Sequence, residues 1–355
     1  MFTKPLFYCT INETISTWRF VMAGVKNSKL KLLYIAEILE KQTDENNFIS
    51  ATALCDELSK LGIPAERKSI YKDIDVLREY GYDIIHNGSR STGGYFMGAR
   101  KFELAEIRLL SDAVQAANFI SQKKTNELVD KIESFASDKQ AKVLHSQVYV
   151  DKRPKCKNEE IFYNINALDE AISSGYKVTF IYTKRKITDE FKTTKEEKNF
   201  KVSPYALIWS NDHYYVVCNN EKYDNLMHLR IDRIKKITVT NERVRHFSEV
   251  SDYKHSFDSA DYAGKLFNMY SGEPKPIEIV CENDLLDTML DRFGENTRLQ
   301  KVDDEHFLLR TNAAVSDGLA AWVLQFGGRV KVRTPNDLIY TIKLKAQEIL
   351  DSYNK

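Results

Sequence analysis

Two groups of residues in this sequence are typed and spaced for chemistry, and in both the chemistry is the holding of anions. Between residues 67 and 75 the chain reads Arg67-Lys68-Ser69-Ile70-Tyr71-Lys72-Asp73-Ile74-Asp75. On a helix, Ile70, Ile74 and Leu77 fall within about 60° of one another, while Lys68, Tyr71, Lys72 and Asp75 take the opposite side. Cations and hydroxyls on an outer helix face suit the phosphates and base edges of duplex DNA. The second group is His228, Arg230 and Asp232, alternate residues of a strand whose other face carries Met227, Leu229 and Ile231. With Arg233 beside it and Tyr182, Tyr205 and Tyr215 as walls, Arg230 can hold a base, a phosphate or another anion. The same residues also allow a plainer reading, in which Arg230 and Arg233 pair with Asp232 and nearby acids on a solvated face.

Enzymatic constellations are absent from the sequence. Ser-x-x-Lys occurs at Ser28–Lys31, Ser69–Lys72 and Ser121–Lys124, repeated as a lysine-rich chain repeats it by chance. The histidines are dispersed and form no HExxH, and nothing near His228 supplies an activated nucleophile. Gly93-Gly94 belongs to neither GxxxxGK[ST] nor GxGxxG. Cys9, Cys55, Cys156, Cys218 and Cys281 lie dozens of residues apart without a CxxC pair, so no metal or cofactor is expected. An odd, scattered set without a secretion signal reads as reduced cytosolic thiols, hence a cytoplasmic protein.

The elements that must position these groups follow from periodicity. Ser28 can cap a helix whose Leu32, Ile35, Ala36 and Leu39 recur at three and four residues. Ser50 or Thr52 caps a shorter helix with Leu54, Leu58 and Leu61 inward, stopped by Gly62. Pro64 suits the first turn of a third helix, Ala65–Tyr80. Tyr82–His86 and Tyr95–Met97 flank a Gly/Ser/Asn turn, a hairpin with Arg90 at its tip within reach of phosphate. Helices joined by a tight turn and followed by such a hairpin predict a winged helix-turn-helix. Residues 102–145 predict a two-helix connector, Leu104 to Ala117 and Leu128 to Phe135, which cannot close a core alone. Short strands at Tyr176–Tyr182, Lys198–Pro204, Ala206–Trp209, His213–Cys218, Leu226–Ile231 and Lys235–Val239 describe a small antiparallel barrel or sandwich. The tail reads βαββαβ from Ile277, ferredoxin-like, with a long final helix from Pro335.

The string Glu66 to Leu77 resembles the recognition helix of helix-turn-helix regulators that carry a WYL domain, with Lys68-Ser69 and Lys72-Asp73-Ile74 standing where an Arg-Thr pair and Arg-Asp-Ile are usual. Lysine keeps the attraction for phosphate but gives up bidentate reading of guanine. Val202 to Leu207, His213 to Val217 and Leu229 to Ile234 look like the three blocks of a WYL domain. The naming tripeptide is Tyr214-Tyr215-Val216 here, and Met227 replaces an arginine common in the family. The resemblance implies an α+β multidomain regulator: an extension at 1–23, winged helix-turn-helix at 24–100, helical connector at 101–155, Sm-like β-barrel sensor at 156–245, linker at 246–273, and a self-associating ferredoxin-like domain at 274–355. DNA contacts are then expected from Arg67, Lys68, Ser69, Tyr71, Lys72 and Arg90. Ligand contacts are expected from Tyr182, Tyr205, Tyr215, His228, Arg230 and Arg233.

Composition fits these expectations. Hydrophobic residues at 43% and charged residues at 29% describe a globular chain, and no run approaches the roughly 18–20 apolar residues of a membrane span. A net charge of +1 gives no attraction of the whole molecule for nucleic acid, so DNA binding must rest on local placement. Met22-Ala23-Gly24 offers a second start, which would make the first 21 residues an appendage. The partners expected are double-stranded DNA, a nucleotide or single-stranded nucleic acid as ligand, and a second copy of the chain. A reading of another class is a nucleic-acid- or protein-binding accessory factor that modulates another effector, as in a defence system. A semi-palindromic site upstream of the gene's own or an adjacent operon distinguishes the regulator from the accessory factor.

Overall fold

The computed structural model of the chain describes residues 28–88, 93–147, 154–188 and 191–354. It forms a multidomain α+β protein of two compact units, Met1–Ala116 with Thr125–Lys152, and Ala117–Lys124 with Arg153–Lys355.

The first unit opens with helices α1 (Ser28–Gln42), α2 (Ala51–Lys60) and α3 (Arg67–Tyr80) around Ile35, Leu39, Leu54, Leu58, Ile70 and Ile74. Ser50 caps α2 by accepting a hydrogen bond from the Ala53 N–H at 3.1 Å. Two expectations shift at the turn that follows. Leu61 points outward, 37% exposed, because α2 ends at Lys60 and Gly62 reverses the chain at φ +77°. Pro64 lies in that turn, and α3 begins at Arg67 after Glu66, two residues later than expected. A hairpin of β1 (Ile84–Asn87) and β2 (Gly94–Met97) closes the group, and Ile49 bridges Tyr95 through hydrogen bonds of 2.9 and 2.8 Å. Gly94 permits this approach, since a Cβ there would meet the Ile49 carbonyl oxygen at 2.7 Å.

Three helices follow rather than two: α4 (Leu104–Ala116), α5 (Gln122–Glu133) and α6 (Asp138–Gln147). The extra break has a cause in Ser137, whose Oγ accepts from the Gln140 N–H and so starts a new helix. Ser137 also donates at 2.6 Å to Asp44, a buried carboxylate that accepts further from the Asn47 side chain at 2.7 Å and the Asn46 N–H at 3.0 Å. Burial alone would push the Asp44 carboxyl up, but these donors outweigh it and hold it below the ordinary 3.8. A depressed folded pKa adds stability that is present above the unfolded value and lost as pH falls through the folded one. Asp44→Ala should therefore cost about 3 kcal/mol at neutral pH. Chemical denaturation of both proteins from neutrality to below pH 3.8 checks this, the gap narrowing on the acid side.

The second unit begins with α7 (Ile161–Ser174), a helix ended by Gly175 in the left-handed conformation, which the strand-based reading of 156–245 passes over. Next come β3 (Tyr176–Ile187), β4 (Thr193–Ser210), β5 (His213–Asn219), β6 (Met227–Arg230) and β7 (Ile234–Arg243), one antiparallel sheet in the order β6-β5-β4-β3-β7. The two strands expected around Tyr205 are a single β4. Pro204, which donates no hydrogen bond, is accommodated by a register shift between Pro204 and Ala206 rather than by a break. The strand expected through Ile231 stops at Arg230, and Ile231–Arg233 make one 3₁₀ turn.

Residues 246–273, read from sequence as a linker, form a packed layer that includes α8 (Ser259–Lys265). Val250, Leu266 and Met269 are buried against Tyr205, Ile208, Val217 and Leu226 of the sheet. The C-terminal part keeps the expected βαββαβ order: β8 (Glu273–Glu282), α9 (Leu286–Phe293), β9 (Arg298–Lys301), β10 (His306–Val315), α10 (Asp317–Leu324) and β11 (Val330–Thr334), then α11 (Asn336–Tyr353). Its sheet runs β11-β8-β10-β9 over a core of Ile277, Ile279, Met289, Leu309, Leu319 and Leu338.

Candidate functional site

On α3, Arg67, Lys68, Tyr71 and Lys72 are exposed, Lys68 and Lys72 on the side opposite the buried Ile70, Ile74 and Leu77 and Arg67 in the first turn. Arg67 donates to the Tyr71 hydroxyl at 3.2 Å, which steadies two of the four long side chains. Ser69 differs from its neighbours. It is half-buried, accepts from the Lys31 ammonium of α1, and lies beside the Lys31–Asp73 ion pair of 2.7 Å. Ser69 and Asp73 thus serve to clamp α3 on α1. Lys31, whose position on α1 gave no hint of this, is the residue that sequence reading missed. Arg90 lies outside the described residues.

The second group assembles in the other unit. Tyr182, Tyr215, His228, Arg230 and Arg233 line one cleft of about 370 Å³, joined by Lys184 of β3 and by Asn268–Tyr270 of the packed layer. Tyr205 is not among them. Its hydroxyl donates to the Arg245 carbonyl at 2.8 Å, and its ring packs on Phe247 and Phe257, because the shift after Pro204 turns it into the core.

Strand pairing sets the geometry of the cleft. Tyr215 lies directly opposite Arg230 across β5 and β6, and the Tyr182 hydroxyl accepts from the Arg230 N–H at 3.3 Å. The 3₁₀ turn brings Asp232 back under Arg230, which grips it through Nε at 3.0 Å and Nη2 at 2.7 Å. The bidentate pair is itself partly accessible, 23% for Arg230 and 10% for Asp232. Burial would lower the Arg230 pKa, but the bonds to Asp232 outweigh it and raise the value further. Burial pushes the phenols of Tyr182 and Tyr215 up, so both stay neutral hydroxyls. Three cations, Lys184, Arg230 and Arg233, thus meet two carboxylates, Asp232 under Arg230 and Glu196 across from Lys184, and the cleft keeps an excess of positive charge.

His228 has a structural duty. Its Nδ1 lies 2.7 Å from the Met269 carbonyl oxygen, which only accepts, so Nδ1 carries the proton and Nε2 accepts from the Tyr262 hydroxyl at 2.8 Å. Burial holds its pKa below the ordinary 6.5, and the neutral ring spends both nitrogens fastening the packed layer to β6. That layer reaches the cleft through Asn268 and Met269, whose φ values of 52° and 57° turn the Met269 carbonyl toward the histidine. Sequence reading missed Lys184, Asn268 and Tyr262. The first sits two residues past a chosen tyrosine, and the others lie in the segment taken for a linker.

Behind the cleft, β5 is covered by the loop Ala117–Lys124. Phe119 is buried edge-on against Trp209 at 5.0 Å and beside Tyr214 at 5.6 Å. The Asn118 and Ala117 carbonyls accept from the Cys156 N–H and the Lys155 ammonium. In Tyr214-Tyr215-Val216, then, the first residue meets Phe119, the second faces the cleft and the third is buried.

A larger recess of about 540 Å³ lies in the first unit beside Asn46, Asn47, Phe48, Lys139 and Lys142. Its polar groups are spent internally, Asn47 on Asp44 and Lys139 on Asn47, and they converge on no common point. Among the described residues no three His, Cys, Asp or Glu side chains could hold a metal ion, and no helix is long and apolar enough to cross a membrane.

Residues 163–239 match the family model of the WYL domain, and residues 274–350 match that of the WCX domain. Among solved structures the chain is similar to proteasome accessory factor B/C of Arthrobacter aurescens, with 15% identity and a TM-score of 0.26 over 88% of this chain and 45% of that one. The chain spans less than half the length of that protein. No curated protein matches.

Proposed function

The chain belongs to the WYL-domain-containing transcriptional regulator family, and from that premise we propose that it is a DNA-binding regulator whose WYL domain senses an anionic ligand and alters operator binding. The observation that carries this reading is the outer face of α3, where Arg67, Lys68, Tyr71 and Lys72 stand exposed on a helix clamped from behind. Three helices and a hairpin tied to the α1–α2 loop support a winged helix-turn-helix, with α3 entering the major groove. The ligand is a nucleotide or a short single-stranded nucleic acid. Its phosphates answer Arg230, Arg233 and Lys184, and its base stacks on Tyr215. Two copies bind together, through the helices after the hairpin or the C-terminal domain, and read half-sites about 34 Å apart.

One experiment tests the reader. In gel-shift titrations with the region upstream of the gene, Lys68→Ala/Lys72→Ala should bind more weakly, and its log–log salt dependence should flatten by about two units. The shifted complex should contain two chains. Wild-type affinity in the double variant would remove α3 from the DNA interface.

A further inference from the structure

Most of the cleft is made by the sheet, but one wall is not. Asn268, Met269 and Tyr270 come from the segment that joins α8 to β8. The backbone of this wall does not hold itself. Asn268 and Met269 are both left-handed, at φ 52° and 57°, a conformation unfavourable for residues with a Cβ and uncommon for one as long as methionine. Such a pair stands only where surrounding contacts impose it. Some of these come from the sheet. His228 donates to the Met269 carbonyl, the Asn211 side chain donates to that of Asn268 at 2.9 Å, and the Ser271 hydroxyl donates to the Leu226 carbonyl at 3.1 Å.

The others come from the C-terminal domain. Arg292, in the last turn of α9, donates to the Leu266 carbonyl at 2.6 Å, and its guanidinium lies 4.0 Å from the centre of the Phe267 ring. Trp322 of α10 packs on the same ring at 5.1 Å. Gly318 lets α10 come this close, since a Cβ there would meet the Phe267 carbonyl oxygen at 2.2 Å. Leu266 and Phe267, both buried, are thus gripped immediately before the left-handed pair. Arg292 is placed there at a cost. It is half-buried, burial lowers its pKa, and among the described residues no carboxylate answers its charge. A cation at the C-terminal end of a helix favours the helix dipole, but for that it needs no burial. Its burial is explained by what it holds.

We propose that Arg292 is a positioning residue for the cleft, and that through it the C-terminal domain, rather than the sheet alone, sets the wall formed by Asn268–Tyr270. Arg292 does not line the cleft; it acts through Leu266 and Phe267. The inference rests on the sensor reading above for its consequence, and it gives the C-terminal domain a role besides association. A shift of α9 or α10 is carried to the cleft through the residue next to the wall. A helix-end cation without this duty contributes stability and nothing else.

Two measurements on the full chain test this. In protein carrying isotope-labelled histidine, the Nδ1 proton of His228, assigned by its loss in His228→Gln, reports whether the Met269 carbonyl is in place. Anisotropy of a fluorescein-labelled thymidine dinucleotide reports the cleft. Arg292→Met keeps the length of the side chain and its packing on Phe267 but cannot donate to Leu266. It should melt within about 3 °C of wild type. It should also open the His228 proton to rapid exchange and weaken dinucleotide binding about tenfold, as a wall that must be ordered on binding does. Arg292→Lys, which restores a donor and a charge, should recover most of both. Each variant is read well below its own melting temperature, so that a lost fold does not pass for a loosened wall. If Arg292→Met keeps the protected proton, Arg292 is only a helix-end cation and the proposal fails. If the proton is released and affinity stays at the wild-type value, the wall has no part in binding, which overturns the proposal as well. If wild type does not bind the dinucleotide, the ligand class of the sensor reading falls, and the His228 proton alone still decides whether Arg292 sets the wall.

Discussion

Arg230→Ala should abolish the response of operator binding to the ligand while leaving unliganded operator affinity within about twofold of wild type. Arg230 belongs to the cleft and holds Asp232, so its loss has two consequences that must be separated. It removes the central cation, and it strands a carboxylate only 10% exposed. The second effect should lower stability by about 1–3 kcal/mol. Asp232→Ala is the informative companion. With its internal partner gone, the guanidinium offers its fork to the ligand, and anion affinity should rise about fivefold or more even as the fold is weakened. Thermal melts and ligand titrations on both variants decide the matter. Opposite changes in ligand affinity with similar losses of stability support a sensor held in check by its own carboxylate. Equal losses of stability with an unchanged response in both would reduce Arg230 to a structural ion pair.

Phe119→Ala should cost about 3–4 kcal/mol, within the range for a deleted core phenylalanine, and lower the melting temperature by about 10 °C. The ring is 4% exposed and wedged between Trp209 and Tyr214, so its loss opens a cavity that flat neighbours fill poorly. Its position also predicts a functional effect. Strand β5 carries Tyr215 toward the cleft and Tyr214 toward Phe119, so a change on one face is felt on the other within one residue. Ligand affinity should stay near wild type while the effect of ligand on operator binding shrinks. Calorimetry measures the first effect, and operator titrations with and without ligand the second. Phe119→Leu, which refills most of the volume, should recover stability; if it also recovers the whole response, the aromatic contact carries no signal.

Helices whose faces repeat every three to four residues were legible from sequence, as α1, α2 and α3 show, because burial there follows period alone. The same period in Ile161, Leu168 and Ala171 marked α7 as well, yet strand signals downstream drew the reading past it. Tyr205 and the split of β4 misread for one physical reason: a proline inside a strand signals an ending, and a bulge that absorbs it changes the face of the next residue without breaking the strand. Of the six ligand candidates, five share the cleft: Tyr182, His228 and Arg230 lie on strands, Tyr215 is set directly across from Arg230, and Arg233 is brought in by the 3₁₀ turn. Asn268, Met269 and Tyr262 were not legible, since the layer that holds them owes its place to scattered aromatic contacts rather than to any repeat. Arg230 pairs with Asp232, as the plainer reading of its charge has it, and also lines the cleft.

The loop from Ala117 to Lys124 bears on how such proteins can be recombined. The chain leaves the first unit after α4, spends eight residues against the sheet of the second, and returns within α5 before crossing again near residue 153. A chimera joined just before that loop keeps Phe119 with Trp209 and Tyr214 but parts Asp44 from Ser137, which lies beyond the loop. One joined after it would carry the donor's Phe119 onto a foreign sheet. The two units are therefore not interchangeable cassettes. A working graft has to move Phe119 together with the strand it presses on, or redesign the two as a matched pair.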